Sequence, residues 1–336
     1  MLVKLWMLFA ALGAAGAVMA VTPSGAEVPS GGRSHSMVSL AADTRVEGIA
    51  FSEISGLAWD AEEQWLYAVS DRGKLFRLRL RIENGELRAV VPVAAVMIKS
   101  SAGSLGQRSG FDAEGLALRR IMGDPAQGSH RMELLVATEG TPRVLRVDPS
   151  GEVLGELPLM TDLADAKRYA DDNSMLEAVA IHPVHGVLVA PERPLRSEKR
   201  PAGHRIQTVD RRWHIQALDP AKSHLKAMDV LDDGQLLVLE RSGSGKRLIN
   251  TLRSVKLETC TGPSPCPMQT LLHLDQAGGA ENFEGMAYLG HGQVLLASDN
   301  RGKKNTPTVF LLVNPALTES CHNRSRHRGS AAWPGC

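Results

Sequence analysis

Five diverged copies of one short pattern constrain this chain more than any other feature. Each copy opens with a polar residue, then a small residue and an apolar run: Glu53–Trp59 (EISGLAW), Glu114–Leu118 (EGLAL), Glu177–Ile181 (EAVAI), Lys226–Val230 (KAMDV) and Glu284–Tyr288 (EGMAY). A turn and a second apolar strand follow each one, and that strand ends in a polar cluster: Leu66–Arg72, Leu134–Gly140, Val187–Arg193, Leu236–Arg241 and Val294–Asn300. The acids closing these strands are Asp71, Glu139, Glu192, Glu240 and Asp299, spaced 68, 53, 48 and 59 residues apart. A period of this size suits four-stranded propeller blades with variable outer loops.

The remaining strands are legible too. Third strands are expected at Lys74–Arg81, Arg143–Val147 and Thr308–Val313, and fourth strands at Leu87–Val93 and Val153–Leu159. Turn signals such as Glu83-Asn84-Gly85 separate them. No long amphipathic helical stretch lies between repeats, which disfavours alternating strands and helices. The expected fold is therefore an all-β propeller with five blades, a sixth being possible within residues 95–110 or 160–175. The fifth copy lacks an outer strand, and residues 36–46 are expected to supply it and close the ring, since an open array would leave an unpaired edge. With 32 glycines and 4% aromatics, many turns and cores of Val, Leu, Ala and Ile are expected.

Residues 1–20 carry Lys4, an apolar run from Leu5 to Met19, and small residues Val18 and Ala20 where a signal peptidase reads them. They read as a secretory signal peptide; the run is short for a spanning helix, the alternative reading. Export to the periplasm or medium is expected, with no membrane span left after cleavage. Residues 21–36 read as a flexible leader, 37–318 as the propeller and 319–336 as a disordered basic tail. Four cysteines fit an oxidising compartment, with a disulfide expected between Cys260 and Cys266 and a second between Cys321 and Cys336. A charge balance of 38 basic against 37 acidic residues argues against nucleic acid as a partner. One ring per molecule, a monomer, is expected.

In a propeller the first strands line the channel, so polar residues at one end of them gather at one mouth. Glu53, Glu114, Glu177 and Glu284 would form an inner acidic ring with Asp71, Glu139, Glu192, Glu240 and Asp299 close by. Crowded carboxylates call for a cation, protons or basic partners, and an oxygen-rich site suits Ca²⁺. Asn173, Asn282 and Asn300 could add carbonyl ligands. Arg72, Arg193, Arg241 and Arg301 follow acids or Asn300 directly, so the acids could instead be structural ion pairs. The same arginines, with Lys199, Lys303 and Lys304, could hold a phosphate or carboxylate.

Other motifs say less. Ser242–Lys246 (SGSGK) lacks the first glycine and the final Ser/Thr of a phosphate loop, and there is no G-x-S-x-G elbow. Ser55 reads as a packing residue before a nucleophile. His182 and His185 read as a hairpin turn before a metal pair.

The chain resembles the phytase-like family ("esterase-like activity of phytase") of exported bacterial proteins. The resemblance rests on Glu53–Leu57 with Ser70–Gly73, Asp112–Leu116 with Glu139-Gly140, Asn173–Glu177 with Pro191–Pro194, Leu236–Arg241, and Asn282–Met286 with Ser298–Asn300. It implies a propeller hydrolase acting on phosphate or carboxylic esters. The chain departs from the repeat at Lys226, where an acid is replaced. The leading expectation is a Ca²⁺-dependent hydrolase of an anionic ester or phosphoester. Metal ligands would be Glu53, Asp71, Glu139, Glu192, Glu240 and Asp299; Glu114, Glu177 or Glu284 would act catalytically; Arg72, Arg193 or Arg241 would steady the substrate. Competing readings are a non-catalytic propeller binding a ligand or partner, and a lactonase-like propeller, disfavoured because no repeat motif carries a His.

Overall fold

The runs of Val, Leu and Ala between turn residues form short antiparallel strands, as aliphatic side chains do when one pleated face is buried against another. The computed structural model describes residues 35–100, 103–104, 111–122, 130–198, 203–243, 248–262, 264–274 and 281–315. The signal peptide, nearly all of the leader, the basic tail with Cys321 and Cys336, and Lys199 and Lys246 lie outside the described residues.

The strands assemble into five four-stranded sheets. Blade one contains Ile54–Asp60, Trp65–Ser70, Lys74–Glu83 and Glu86–Met97. Blade two contains Asp112–Met122, His130–Glu139, Arg143–Val147 and Val153–Leu157. Blade three contains Leu176–His182, Gly186–Pro191, Gly203–Gln207 and Arg212–Gln216. Blade four contains His224–Val230, Leu236–Ser242, Ile249–Val255 and Gln269–Leu274. Blade five contains Phe283–Gly290, Gln293–Ser298 and Thr308–Val313, and its outer strand is His35–Leu40 from the other end of the chain.

The ring is thus closed by an N-terminal strand, with His35 opposite Val313 and Leu40 opposite Thr308. This strand begins before the expected domain boundary at residue 37. Arg45–Val46, the rest of the segment expected to close the ring, forms a separate hairpin with Ile49–Ala50. Among their described residues, the insertions that left room for a sixth blade hold less: Lys99–Ser100 pairs with Gly103–Ser104, and Thr161–Ala164 is a single helical turn. Five blades are present among the described residues.

One hydrophobic cluster sits at each blade-to-blade interface. Phe51, Phe76 and Phe310 join blades five and one, Val69 and Val136 blades one and two, and Leu135 and Val179 blades two and three. Leu188 and Val238 join blades three and four, and Leu239 and Leu296 blades four and five. The core is therefore distributed around the ring, and every blade depends on two neighbours. Within a blade, turn chemistry sets the register. Asn84 and Gly85 both take positive φ (54° and 78°) between strands joined by two residues, the twist a tight hairpin requires.

The inner strands pack side by side in a closed cycle, blade five returning to blade one. Small residues permit this approach: Gly56, Gly115, Ala178, Ala227 and Gly285 occupy one register position of the five strands. A Cβ on Gly56 would lie 2.8 Å from the Glu114 carbonyl, and one on Gly115 2.8 Å from the Glu177 carbonyl. One residue further along, Leu57, Leu116, Val179, Met228 and Met286 are buried and meet around the same axial space. They floor the channel with hydrocarbon, so the mouth above is a cup.

A disulfide joins Cys260 to Cys266. No helix of the described residues is long and apolar enough to cross a membrane.

Candidate functional site

Every inner strand enters its blade through a β-bulge, one extra residue against its partner: the register shifts between Ile54 and Gly56, Ala113 and Leu116, Leu176 and Ala178, Leu225 and Ala227, and Phe283 and Gly285. A bulge adds an unpaired residue and re-aims its side chain. The five bulged residues are Ser55, Glu114, Glu177, Lys226 and Glu284, and they form the innermost ring of the mouth. Two residues earlier stand Glu53, Asp112, Met175, His224 and Asn282. Facing these across the ladder are Asp71, Glu139, Glu192, Arg241 and Asp299.

This register separates two expected residues from the ring. Glu53 is one step outside it, and Ser55 holds the blade-one position. Glu53 takes a left-handed backbone (φ 59°), donates its N–H to Asn300 Oδ1 (3.0 Å), and pairs with Lys74 at 3.2 Å and Arg72 at 3.6 Å. Glu240 lies outside the mouth because a shift of one residue turns a strand side chain to the opposite face. It accepts from Leu218 N–H (2.6 Å) and Arg253 (2.8 Å), with His204 at 3.3 Å. Despite burial, the nearby His204 and the hydrogen bond from Arg253 hold its carboxyl down at about 2. It is a structural anchor, and Arg241 takes the ring position that was expected to be acidic.

The mouth is electrostatically divided. Blades three to five supply Glu177, Glu192 and Glu284 together with two cations. Lys226, 5% exposed, pairs with Glu177, with Glu192 at 3.0 Å and with Glu284 at 3.3 Å. Arg241 donates to Glu284 at 2.8 Å and to Asn282 Oδ1, and lies 3.6 Å from Glu192; His224 Nδ1 is 3.0 Å from Glu192. Burial favours the neutral acid, yet Lys226 and His224 outweigh it and hold Glu192 at about 2. Glu284 is likewise lowered, burial being overcome by Lys226 and Arg241.

Blades one and two supply Asp71, Asp112, Glu114 and Glu139, with no cation in ion-pair contact among the described residues. An oxygen from each of Asp71, Asp112 and Glu114 lies within 4.8 Å of the others. Ser55 donates its hydroxyl to Asp71. Glu114 is 9% exposed and makes no hydrogen bond or ion pair with any described residue; Asp112 Oδ1 is buried without a partner. Burial pushes Asp71 up to about 7 against the Ser55 hydrogen bond, and Asp299 and Asp112 add repulsion. Burial and the Glu177 charge push Glu114 well above the carboxylate range. Burial and the Glu192 charge carry Glu139 to about 8, although Met175 N–H donates to it at 2.7 Å. Asp299, bound by Asn282 Nδ2 at 3.1 Å, rises to about 6 through burial and the Glu284 charge. An oxygen-donor set with an orphaned buried oxygen and no described cation in ion-pair contact fits a hard cation such as Ca²⁺.

The expected substrate-binding arginines are dispersed. Arg241 is inside the cup, Arg72 is on the lip at 62% exposure, and Arg193 is committed to Asp171 at 2.8 Å. Asn173 is exposed and its N–H bonds Asp171; Asn282 is in the site, and Asn300 supports Glu53. Lys303 and Lys304 are exposed. Asp112, within the Asp112–Leu116 motif, was not expected in the site, and Lys226 was expected only as a lost ligand. Aligning the copies on their small residue rather than their acid exposes both. Elsewhere, His182 is held by its turn: Nδ1 accepts from Val184 and His185 N–H, and Nε2 bonds Gly234 O at 2.9 Å. Both nitrogens are used, which disqualifies the nearby His185 and Glu258 as a metal set with it.

A protein-family model described as "Phytase-like: Esterase-like activity of phytase" matches residues 49–301, spanning all five bulges. No curated protein sequence matches the chain. Among solved structures, the PQQ-bound aldose sugar dehydrogenase of Streptomyces coelicolor is 12% identical, with 83% of this chain and 98% of that chain covered and a TM-score of 0.38. A gluconolactonase of Xanthomonas campestris is 13% identical over 83% and 89%, with a TM-score of 0.37. Likenesses this distant say nothing about activity.

Proposed function

The chain belongs to the phytase-like family, and on that premise we propose that it is an exported, monomeric hydrolase of phosphoesters or related esters that works with Ca²⁺ at the mouth of its channel. One observation carries the reading: Asp71, Asp112 and Glu114 converge from blades one and two with no described cation in ion-pair contact, one of their oxygens being buried and unbonded. Export is supported by the Cys260–Cys266 disulfide and by the signal-like first 20 residues.

Asp71, Asp112 and Glu114 are the residues that would hold the ion, steadied by the Ser55 hydroxyl on Asp71. A divalent cation there supplies Lewis acidity toward a phosphoryl or carbonyl oxygen and makes bound water more acidic. The chain's own groups do the rest. Arg241 inside the cup and Arg72 on the lip present guanidinium donors to an anionic substrate. Glu139, carried to about 8, keeps its proton at neutral pH and can pass it to a leaving oxygen. Glu177 and Glu284 are tied to Lys226, so the catalytic role expected of the inner acids falls to blade two. The apolar floor confines a substrate to the cup.

The test is hydrolysis of p-nitrophenyl phosphate, p-nitrophenyl acetate and inositol hexakisphosphate by purified protein with Ca²⁺ or with chelator. The expected result is Ca²⁺-dependent turnover, reduced at least about a hundredfold by Glu114→Gln, the scale of losing one charge-stabilising group. No cleavage of any of the three, with Glu114→Gln unchanged, rejects the proposal. A second reading draws on the same ion pairs: because Glu177 and Glu284 are committed to Lys226, the mouth also suits a non-catalytic receptor for a small anion. Tight calorimetric binding without turnover selects it.

A further inference from the structure

Four of the five bulges put an oxygen at the channel mouth, and the fifth puts an ammonium there. Lys226 Nζ reaches Glu177 and Glu192 of blade three and Glu284 of blade five. Those are three carboxylates from two blades around one buried positive charge, the arrangement in which such a ring would hold a metal ion. We propose that Lys226 is a resident counter-ion that occupies one of two cation positions of the mouth, so that the protein takes up a single divalent ion, on the blade-one and blade-two side. The inference rests on reading the mouth as a cation site; it does not require hydrolysis.

The geometry offers two acidic triads, each with oxygens within 4.8 Å of one another: Asp71, Asp112 and Glu114, and Glu139, Glu177 and Glu192. They differ in what already faces them. Two of the three members of the second triad are bonded to Lys226, and Glu192 also meets His224 and Arg241. A divalent ion arriving there would meet the ammonium within a few ångströms, a like-charge contact in a buried setting that costs far more than in water. No described cation is in ion-pair contact with the first triad; the Arg72 charge acts on Asp112 and the Lys226 charge on Glu114 only from beyond that range. Within the triad Glu114 is nine-tenths buried with no described hydrogen-bond or ion-pair partner, and Asp112 Oδ1 is buried and unbonded. Arg241, in the position where the other blades carry Asp71, Glu139, Glu192 and Asp299, adds a second positive charge to the same half. Together Lys226 and Arg241 of blade four neutralise one half of the acidic ring and leave the blade-one and blade-two acids as the uncompensated half.

The experiment counts ions. Equilibrium dialysis against Ca²⁺ and calorimetric titration with Ca²⁺, with Tb³⁺ luminescence as a second probe, are run on the full chain and on Lys226→Arg, Lys226→Met and Asp112→Asn. The expected counts are one ion for the native chain and for Lys226→Arg, two for Lys226→Met, and none for Asp112→Asn. Lys226→Met leaves Glu177, Glu192 and Glu284 facing each other, so Lys226→Met/Glu284→Gln is included; it lowers that repulsion, keeps the second triad whole, and is also expected to bind two. One ion in both Met variants, or two in the native chain, overturns the role of Lys226 and leaves the blade-two site standing. No ion in the native chain overturns the cation reading itself, and this inference with it.

Discussion

Asp71 offers the sharpest test of the electrostatics at the mouth. Its carboxyl is pushed from 3.8 to about 7 by burial and by neighbouring acids, so without a bound cation it must be protonated to be comfortable. Between about pH 4 and pH 7 the folded chain therefore carries a proton at this site that the unfolded chain has lost. Stability falls as pH rises through that window. At about 1.4 kcal/mol per pKa unit, the burden is roughly 1.6 kcal/mol near pH 5 and approaches ~4 kcal/mol near pH 8. Asp71→Asn removes the charge while keeping an oxygen that can accept from Ser55. In chelator-treated protein it should stabilise the fold, by about 2–3 kcal/mol more at pH 8 than at pH 5, measured by denaturant unfolding at both pH values. The same variant should lose the stabilisation that Ca²⁺ gives the native chain. An equal gain at both pH values, or a loss at pH 8, refutes the account of a strained, uncompensated carboxylate.

Glu133 behaves in the opposite sense. Its side chain is 1% exposed, Arg146 and Arg119 bond it at 2.6 and 2.9 Å, and the Arg146 hydrogen bond leads in lowering its carboxyl to about 2. Glu133→Gln should cost about 2–3 kcal/mol at neutral pH, a difference that fades as pH falls from about 4.5 toward 2; a pH-independent cost in urea melts argues against it. At the channel floor, Gly115→Ala should cost roughly 1–3 kcal/mol, because the new Cβ meets backbone of blade three at 2.8–2.9 Å. Gly285→Ala should cost less, since its nearest neighbour is the Leu57 side chain at 2.9 Å; thermal melts that rank them the other way contradict the close-packed ring. Removing His35–Leu40 should abolish a single cooperative transition in calorimetry, since it exposes an edge of blade five and strips Val38 and Leu40 from the blade-one interface.

The five blades were readable because the aliphatic runs and turn residues recur at blade-sized intervals, and the closing strand because an open edge had to be filled. The family resemblance was readable from the order of short motifs, later matched over residues 49–301. Register was the part that escaped. Glu53 and Glu114 both precede an apolar run, yet Ser55 is the bulge equivalent of Glu114, and Glu240 sits one place from Arg241. Acid identity is a poor ruler when a one-residue slip moves a side chain from the mouth to the interface. The tight inner cycle, by contrast, tolerates only Gly or Ala at one position, and that position fixes the register of all five strands. The role of Lys226 depended on a three-way contact between blades three, four and five, which no single repeat encodes.

The pairing of His35–Leu40 with Thr308–Val313 also sets an order of events for the chain in time. The strand that emerges first has to wait for the one that emerges last. Such a distant pairing gives a high contact order and a slow final step, since the loop entropy is met before the contact rewards it. Until then blade five presents a bare edge, which a neighbouring chain's free N-terminal strand fits as well as its own. Refolding at rising protein concentration should therefore divert molecules into exchanged dimers, and tethering the two ends should suppress them.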